Sequence, residues 1–590
     1  MAAPRIIVIG GGLAGLSAVI KIAEAGGTVD LFSIVPVKRS HSVCAQGGIN
    51  AAKNLKGEGD TTYKHFDDSI YGGDFLANQT PVKLMCETAP AIIDLLDRMG
   101  VPFNRTPEGL LDFRRFGGTL YNRTAFAGAT TGQQLLYALD EQVRRYESEG
   151  KVKKYEGWEF LSAVIDSKGV ARGITALDLR TMELRSFPAG AVLLATGGIG
   201  AIFGKSTNSV VCTGSAQSAV FQQGVTYANG EFIQVHPTCI PGEDKLRLMS
   251  ESARGEGGRV WVPRTAGDKR LGRQIPEGER FYFLEEWYPK YGNLVPRDIA
   301  TRAIHKVVYE EGLGLDGQPM VYLDLTHIDR ATLDRKLGGI LDIYEKFVGD
   351  DPHEVPMKIF PGVHYTMGGV WVDFNQMTNI PGIYAIGECD YQYHGANRLG
   401  ANSLLSCIYA GFVAGPHALN YTKNLTAMEG DGGHAAEITR QAEINARLLK
   451  NEGEENPFKL WRELGDTMTK HATVIRYNKG LKQADEKIVE LLDRYKNVSL
   501  ADRSQWANTS FAFARQLKNM LELARVIAQG AMLRDESRGA HYKPDFPERN
   551  DEQFLKTTKA SYTDSGPRFE FEEVDTQFIQ PRRRSYDAAN

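Results

Sequence analysis

The first strand, turn and helix of the chain limit the possible folds more than any other stretch. Arg5–Gly10 is a short apolar run typical of a buried parallel strand, and apolar spacing predicts a helix over Leu13–Ala25 and a second strand over Thr28–Ser33. Between the first strand and the helix lies a G-x-G-x-x-G turn, whose glycines permit a tight turn, close approach to a pyrophosphate and close helix packing. We therefore predict an α/β dinucleotide-binding domain, with the helix amides facing the phosphates and the turn glycines being Gly10, Gly12 and Gly15.

The end of the second strand bears on which dinucleotide binds. A nicotinamide dinucleotide usually has its ribose held by an acidic residue that closes this strand. The chain has Ser33 at that position, and Asp30 lies inside the strand. The sequence therefore argues against NAD and favours FAD held by a variant loop that includes Ser33.

Size and composition exclude several classes of protein. A chain of 590 residues has room for roughly three or four domains. Its net charge of −4 argues against a nucleic-acid partner, which usually requires a basic surface. The six cysteines are scattered without a CxxC pair, so we predict no metal or iron–sulfur site and a reducing compartment. No apolar run reaches the ~18 residues of a membrane span, and with the first strand starting at Arg5 we expect no signal peptide.

Periodicity and composition predict several domains along the chain. Helical spacing marks Pro81–Met99 and Thr131–Glu149, and short alternating strands between Trp158 and Phe187 predict a small antiparallel sheet. The buried runs Val192–Gly198 and Ile383–Glu388 are expected to return to the first sheet, followed by a helix over Ser403–Gly415. The predicted organisation is an FAD-binding domain in two parts (1–231 and 359–420), an inserted α+β capping domain (232–358), a helical domain (432–536) and an irregular C-terminal domain (537–590) whose Arg582-Arg583-Arg584 forms a solvated patch.

A glycine-rich stretch follows the dinucleotide turn by one βα unit. It reads Arg39-Ser-His41-Ser-Val-Cys-Ala-Gln-Gly-Gly-Ile-Asn50, and its paired glycines suit a backbone that approaches a large flat ligand. A histidine in this stretch would lie near the reactive end of the cofactor. Taken alone, however, such a stretch is more often a glycine turn with a solvated histidine.

Five further segments combine histidine or arginine with glycine-rich or polar backbone. An arginine presents a planar fork of donors that suits a carboxylate, and several such loops without a neighbouring acid suit a small dianion. Any one of these arginines would more often form a surface ion pair, but five such loops in one dinucleotide-binding chain favour a ligand site. The segments are Gln234–Thr238, Met249–Gly258, Val295–Asp298, His364–Gly369 and His394–Ser403.

Through these segments the chain resembles the flavoprotein subunit of succinate dehydrogenase and fumarate reductase, over nearly its whole length. Its sequence is most similar to the subgroup whose membrane anchor is a diheme cytochrome b. The residues that carry the resemblance are Arg39–Ser42, Ala45–Gly48, Gln234–Thr238, Arg254–Gly258, Pro296–Asp298, His364–Gly369, His394–Leu404 and Glu536–His541.

The resemblance implies FAD bound covalently through His41, an attachment that raises the flavin potential. It places Glu388 on the ribose and Ser403 and Leu404 near the flavin ring. Many relatives have Asp where this chain has Ser215, which leaves that contact open. The other cofactor residues it implies are Gly10, Gly12, Gly15, Ser33, Ser42, Gln46, Gly47 and Gly48.

The resemblance also implies a substrate site. Arg297 is its proton-transfer residue, supplied through Glu251 and Arg254, and hydride moves between the substrate and the flavin. Because arginine ordinarily stays protonated, a purely positioning role for Arg297 is the alternative. The residues implied to bind the substrate carboxylates are His236, Ser250, which replaces the usual Thr and keeps the hydroxyl, His364 and Arg398.

The implied activity is reversible oxidation of succinate to fumarate. Electrons would leave FAD for a separate iron–sulfur subunit and then a membrane quinone, through a cytochrome b anchor. The expected location is the cytoplasmic face of a bacterial membrane, with the chain attached through these partners. Gln46 is usual in succinate dehydrogenases but also occurs in some fumarate reductases, so the preferred direction stays open.

One alternative to this interpretation belongs to the same superfamily, and a second belongs to a different class of protein. L-aspartate oxidase shares the fold and the arginine and histidine set, but binds FAD without a covalent bond and generally lacks the equivalent of His41. A non-enzymatic FAD-binding scaffold would have no use for the set of His236, Glu251, Arg254, Arg297, His364 and Arg398.

Overall fold

The computed structural model describes residues 5–242, 245–425 and 431–586. The first predicted domain starts at residue 1 and the last ends at residue 590, and both positions lie outside the described residues. The α-helices are α1 Leu13–Glu24, α2 Thr62–Gly72, α3 Gln79–Arg98, α4 Thr131–Ser148, α5 Ser215–Gln222, α6 Ser252–Gly255, α7 Phe283–Trp287, α8 Arg297–His305, α9 Arg330–Val348, α10 Asn402–Lys423, α11 His434–Lys450, α12 Pro457–His471, α13 Asn478–Tyr495, α14 Thr509–Leu533 and α15 Asp551–Phe554.

The strands are short and form several sheets. They are β1 Ile6–Ile9, β2 Val29–Ser33, β3 Ile49–Asn50, β4 Phe113–Arg114, β5 Thr124–Ala125, β6 Val152–Glu156, β7 Trp158–Ile165, β8 Ala171–Asp178, β9 Leu184–Pro188, β10 Ala191–Leu194, β11 Tyr227–Ala228, β12 Ile233–Ile240, β13 Arg247–Leu248, β14 Arg259–Pro263, β15 Arg280–Phe281, β16 Val321–Asp324, β17 Met357–Thr366, β18 Gly369–Val370, β19 Ile383–Ala385, β20 Lys556–Ser561 and β21 Arg568–Glu573.

A five-stranded parallel sheet in the order β19-β10-β1-β2-β6 forms the centre of the dinucleotide-binding domain. The predicted return of the two buried runs to the first sheet is confirmed, because β10 pairs with β1 and β19 pairs with β10. All four residues of β1 are buried, as expected for a parallel strand covered on both faces. The antiparallel sheet predicted between Trp158 and Phe187 is the three-stranded sheet β7-β8-β9.

The inserted region is built on a six-stranded sheet in the order β13-β12-β17-β16-β14-β15. Its central strands β12 and β17 run antiparallel, with Val235 opposite Val363, and they carry His236 and His364. The predicted boundary between 358 and 359 falls within β17. This strand therefore leads from the inserted region back towards the dinucleotide-binding sheet.

Helix α10 is longer than the sequence predicts. The sequence predicts an end at Gly415, before Pro416, but the helix continues to Lys423. Beyond Pro416 the helix still has a buried face, formed by Ala418, Leu419 and Thr422. Packing of the whole helix face stabilises the helix by more than the loss of the one backbone hydrogen bond that Pro416 cannot donate.

The C-terminal region is less irregular than expected. Strands β20 and β21 form an antiparallel hairpin, and β20 continues through β11 to β18 in a four-stranded sheet. The expectation of a solvated arginine patch is wrong for Arg584, whose side chain is 7% exposed and pairs with Asp298. Arg582 and Arg583 are exposed as predicted.

No helix within the described residues is long and apolar enough to cross a membrane. Groups of His, Cys, Asp or Glu that could hold a metal ion are likewise absent from the described part of the chain.

Candidate active site

A cavity of about 490 Å³ extends from the glycine turn after β1 to the histidines on β12 and β17. The dinucleotide-binding domain lines one end of this cavity, and the inserted region lines the other. Every residue that the sequence predicts for the cofactor or the substrate lines it, with the exceptions of Gly15 and Arg254. Gly15 lies behind the turn against Gly10, and Arg254 lies behind Glu251.

The glycine turn fits the pyrophosphate of a dinucleotide. Gly10 has φ of +113°, and a Cβ at this position would lie 2.0 Å from the carbonyl oxygen of Ala195, so only glycine is accommodated. Helix α1 begins at Leu13, and its N-cap residue Gly12 provides no side-chain cap. The amides of the first turn therefore face the cavity and can bind phosphate oxygens.

The glycine-rich stretch after β2 forms a short 3₁₀ helix, His41–Cys44, along the cavity wall. The Ser42 hydroxyl accepts a hydrogen bond from the Leu13 amide at 3.3 Å, which ties this stretch to the start of α1. Gly48 has φ of +138°, and a Cβ there would lie 2.5 Å from the Ala125 carbonyl oxygen. The stretch is thus held close against its neighbours, as a surface for a flat ligand requires.

Arg114 supports this stretch and was not singled out in the sequence. It is buried, and its guanidinium donates hydrogen bonds to the carbonyl oxygens of Gln46 and Gly47. The guanidinium also packs on the Phe126 ring at 4.1 Å. In the sequence this residue lies in an Arg- and Gly-rich loop, Phe113–Gly118, between the predicted helices Pro81–Met99 and Thr131–Glu149.

His41 is a neutral histidine with a hydrogen-bond donor near each ring nitrogen. The Ser209 amide donates to its Nδ1 at 3.2 Å, and the Asn208 carboxamide nitrogen lies 3.1 Å from its Nε2. Desolvation by the surrounding protein lowers the pKa of His41 to about 4, and the charge of Lys245 adds to this shift. A neutral imidazole is the nucleophilic form.

The far wall of the cavity contains Glu388 and the start of α10. Burial raises the pKa of Glu388 to about 7, although its carboxylate accepts a hydrogen bond from the Thr366 amide. Ser403 and Leu404 are in the first turn of α10 and line the cavity. The Ser403 hydroxyl accepts a hydrogen bond from Arg398 at 2.9 Å, so this turn links the two ends of the cavity.

Ser215, the residue whose contact the sequence left open, begins α5 and lines the cavity. Its hydroxyl accepts a hydrogen bond from the Asn519 side chain on α14 at 2.8 Å. The serine is therefore supported by the helical region behind it.

The substrate end contains a buried chain of three charged residues. Both Nε and Nη2 of Arg297 donate to one oxygen of Glu251, at 3.1 and 2.9 Å. The other oxygen of Glu251 accepts from Arg254 at 2.6 Å. Burial alone would raise the pKa of Glu251, but the charges of Arg297 and Arg254 lower it below its usual value, so the carboxylate is ionised.

The two histidines at this end are uncharged. The Thr238 amide donates to Nδ1 of His236 at 3.2 Å, which places the ring proton on Nε2. That Nε2 has no partner among the residues that the structure describes. Burial and the nearby Arg297 hold the pKa of His236 well below its usual value, and the same causes act on His364, whose ring lies 5.0 Å away.

Arg398 completes this end of the cavity. Its guanidinium lies 4.4 Å from the Tyr365 ring, and burial together with the charge of Arg297 lowers its pKa to about 9. It therefore stays charged at neutral pH. Three arginines, one ionised glutamate and two neutral histidines give this end a net charge of about +2, which matches a dicarboxylate.

A hydrogen-bond network behind the site was not predicted. Arg297 donates to the Gln234 side chain at 2.8 Å, and Gln234 donates to Asn397 at 2.9 Å. Asn397 in turn donates to Asp298, which forms a bidentate ion pair with Arg584. Gln234, Asn397 and Asp298 lie inside the segments singled out above, whereas Arg584 was expected in a solvated patch away from the site.

Comparison with known proteins supports the architecture. A family model described as FAD binding domain matches residues 5–404, and one described as Fumarate reductase flavoprotein C-term matches residues 461–586. The succinate dehydrogenase flavoprotein subunit of Bacillus subtilis is 62% identical over 99% of both chains. The fumarate reductase flavoprotein subunit of Escherichia coli is 34% identical over 98% of this chain and 95% of that one. A solved structure of E. coli quinol fumarate reductase, 32% identical, covers all of both chains with a TM-score of 0.91.

The fold, the glycine turn and these matches define an FAD-dependent oxidoreductase. Within that class, the chain belongs to the succinate dehydrogenase and fumarate reductase flavoprotein family, and it interconverts succinate and fumarate.

Proposed function

We propose that the chain is the catalytic subunit of a succinate:quinone oxidoreductase that holds FAD covalently through His41. The observation that carries the catalytic part of the proposal is the buried Arg297–Glu251–Arg254 chain beside two neutral histidines. The net charge of about +2 favours a dianion over a zwitterionic amino acid, because a substrate ammonium group would face the arginines. The 62% identity to a succinate dehydrogenase subunit supports succinate oxidation as one direction.

Four side chains are proposed to bind the substrate. The Nε2–H groups of His236 and His364 and the Ser250 hydroxyl donate to carboxylate oxygens. Arg398 adds a charged, forked donor whose orientation Ser403 fixes. Together they hold both carboxylates, so that the central carbon–carbon bond has one orientation in the cavity.

Arg297 is proposed to move the proton. FAD, when bound, supplies the acceptor for the hydride that leaves one methylene carbon of succinate. Arg297 takes the proton from the neighbouring methylene carbon, and the electron pair of that C–H bond forms the double bond of fumarate. Before this step Arg297 passes a proton to Glu251, and Arg254 on the opposite oxygen of Glu251 continues the exchange. In the reverse direction the guanidinium of Arg297 donates the proton.

His41 is proposed to carry the bond to the isoalloxazine. Its low pKa keeps the imidazole neutral, and its position on the 3₁₀ helix beside the start of α1 suits contact with a bound flavin. The remaining residues proposed for FAD are those of the glycine turn, Ser33, Ser42, Gln46 to Gly48, Glu388, Ser403 and Leu404, all of which except Gly15 line the cavity.

The partners are proposed from the family. Cysteine clusters and membrane-spanning helices are lacking in the described residues, so a separate iron–sulfur subunit and a cytochrome b anchor of the diheme type would take the electrons to quinone. The chain would then sit at the cytoplasmic face of a bacterial membrane through these partners.

Flavin fluorescence on a denaturing gel tests the proposal, using chain isolated from cells that contain the partner subunits. A fluorescent band that is lost in His41→Ala, together with succinate-dependent reduction of a quinone, supports it. A dark band from yellow native protein that oxidises aspartate with fumarate would instead favour an L-aspartate oxidase.

A further inference from the structure

The segment Ser206–Ser209 lies between the two histidines proposed for different tasks, His41 and His364. Thr207 and Asn208 are 5% and 3% exposed. The Thr207 amide donates to the Val363 carbonyl oxygen on β17 at 3.0 Å, and Ser206 accepts a hydrogen bond from the Leu246 amide. The backbone of this segment is therefore fixed to the strand that carries His364.

The Thr207 hydroxyl is in direct contact with one ring nitrogen of His364. Its oxygen lies 2.7 Å from Nδ1 of His364 and 3.5 Å from the Val363 carbonyl oxygen. A hydroxyl has one proton to donate, and the 2.7 Å contact with Nδ1 is of ordinary hydrogen-bond length whereas 3.5 Å exceeds the usual O–H···O range, so the distances favour donation to Nδ1. Because Thr207 donates to Nδ1, the neutral ring keeps its own proton on Nε2. His364 then presents a donor in the same way as His236.

Asn208 holds the segment in place independently of the Thr207 side chain. Its carboxamide nitrogen donates to the His364 carbonyl oxygen at 3.0 Å and lies 3.1 Å from Nε2 of His41. A Cβ on Gly200 would come within 2.1 Å of the Asn208 Oδ1, so the carboxamide fills the space beside that glycine. Loss of the Thr207 hydroxyl alone should therefore leave the backbone in position.

We propose that Thr207 is a positioning residue that fixes the tautomer of His364 for dicarboxylate binding. Thr207 itself lines the cavity, but its hydroxyl is directed at Nδ1 of His364, on the side of the ring away from the Nε2 donor. Without this hydroxyl the ring proton can occupy Nδ1, and Nε2 would then present a lone pair to a carboxylate oxygen. The inference rests on the proposed role of His364 as a carboxylate donor.

Two substitutions separate the hydroxyl from the shape of the side chain. Thr207→Val keeps the branched shape and removes the hydroxyl, whereas Thr207→Ser keeps the hydroxyl. Each is made in the assembled enzyme, and malonate serves as a dicarboxylate probe whose binding is followed through the flavin absorption. We expect Thr207→Val to raise the malonate Kd and the succinate KM roughly tenfold, as for loss of one charge-assisted hydrogen bond. Thr207→Ser should stay within about twofold, with kcat and covalent flavin little changed in both variants.

A double variant tests whether Thr207 acts through His364. Thr207→Val combined with His364→Gln should bind malonate no more weakly than His364→Gln alone, since the shared interaction is already lost. Additive losses, equal losses in the Val and Ser variants, or a wild-type Kd in Thr207→Val would each overturn the role of the hydroxyl. Wild-type malonate affinity in His364→Gln would instead remove His364 from the proposed substrate site, and the inference would fail with it.

Discussion

At the substrate end, one neighbouring hydrogen-bond donor sets the proton position on each histidine. One backbone amide fixes the proton of His236, and one hydroxyl fixes that of His364. Two arginines keep Glu251 ionised in a buried position where a lone carboxyl would be neutral. The groups that set the states of His236 and Glu251 lie in segments that the sequence singles out, whereas Thr207, the partner of His364, lies outside them.

Replacement of Arg297 tests the proton-transfer step. Arg297→Ala should lower succinate oxidation at least ~10³-fold, because no other donor or acceptor would serve the reacting carbon. Flavin content should stay at the wild-type level, since Arg297 belongs to the substrate end of the cavity. Turnover and flavin absorption of the purified complex measure both effects. Arg330→Ala, an exposed arginine on α9, is the matched control. Near-normal turnover in Arg297→Ala would leave Arg297 a positioning role at most.

Replacement of His41 tests the covalent attachment. His41→Ser should retain FAD noncovalently, lose the fluorescent band on a denaturing gel and lose succinate oxidation, because the unattached flavin has a lower potential. His417→Ser, at an exposed position of α10, should behave as wild type. Full succinate oxidation without covalent flavin would contradict the argument from potential.

The packing of helix α1 against helix α10 links the two ends of the cavity. Helix α1 begins at the dinucleotide turn, and α10 begins beside Arg398. Gly411 allows the two helices to approach until a Cβ would lie 2.6 Å from the backbone oxygen of Ala14. This contact therefore fixes where the amides of the first turn of α1 lie relative to the substrate end.

A methyl group at this contact should disturb both stability and cofactor binding. We expect Gly411→Ala to lower the free energy of unfolding by about 1–3 kcal/mol, the usual cost of overpacking, and to reduce FAD retention. Gly338→Ala is the matched control, because this helical glycine on α9 has no atom within 4 Å of an added Cβ. The control should be neutral or stabilising, by up to about 1 kcal/mol. Thermal unfolding and flavin content are the measurements, and equal behaviour of the two variants would show that the close approach is unimportant.

Across the whole molecule, local patterns could be predicted from the sequence, and long-range partners could not. The buried runs around Ile6 and Val192 identified the parallel sheet because burial on both faces leaves a continuous apolar signal. The alternation of Phe569 and Phe571 with charged residues was a usable signal for the C-terminal hairpin that the prediction of an irregular domain missed. Arg584 gave no such signal, since its partner Asp298 lies 286 residues away.

The C-terminal segment therefore supports the active site from a distance. Arg584 forms a bidentate pair with Asp298, the residue after Arg297 at the start of α8. Asp298 is 1% exposed at its side chain, so removal of its partner leaves a buried carboxylate with less compensation. The cost of breaking such a pair is about 3–5 kcal/mol. Part of this cost should appear as movement of the α8 start and of Arg297.

Adjacent arginines in the tail provide the test. Arg584→Ala should lower the unfolding temperature and reduce kcat for succinate about tenfold or more, whereas Arg583→Ala, one residue away and exposed, should change neither. Arg584→Lys should recover part of both losses, because a lysine can reach Asp298 with one donor but cannot form the bidentate pair. Succinate turnover and thermal unfolding of the assembled enzyme measure the series. If Arg584→Ala lost stability but kept full turnover, the tail would act as a structural tie with no influence on Arg297.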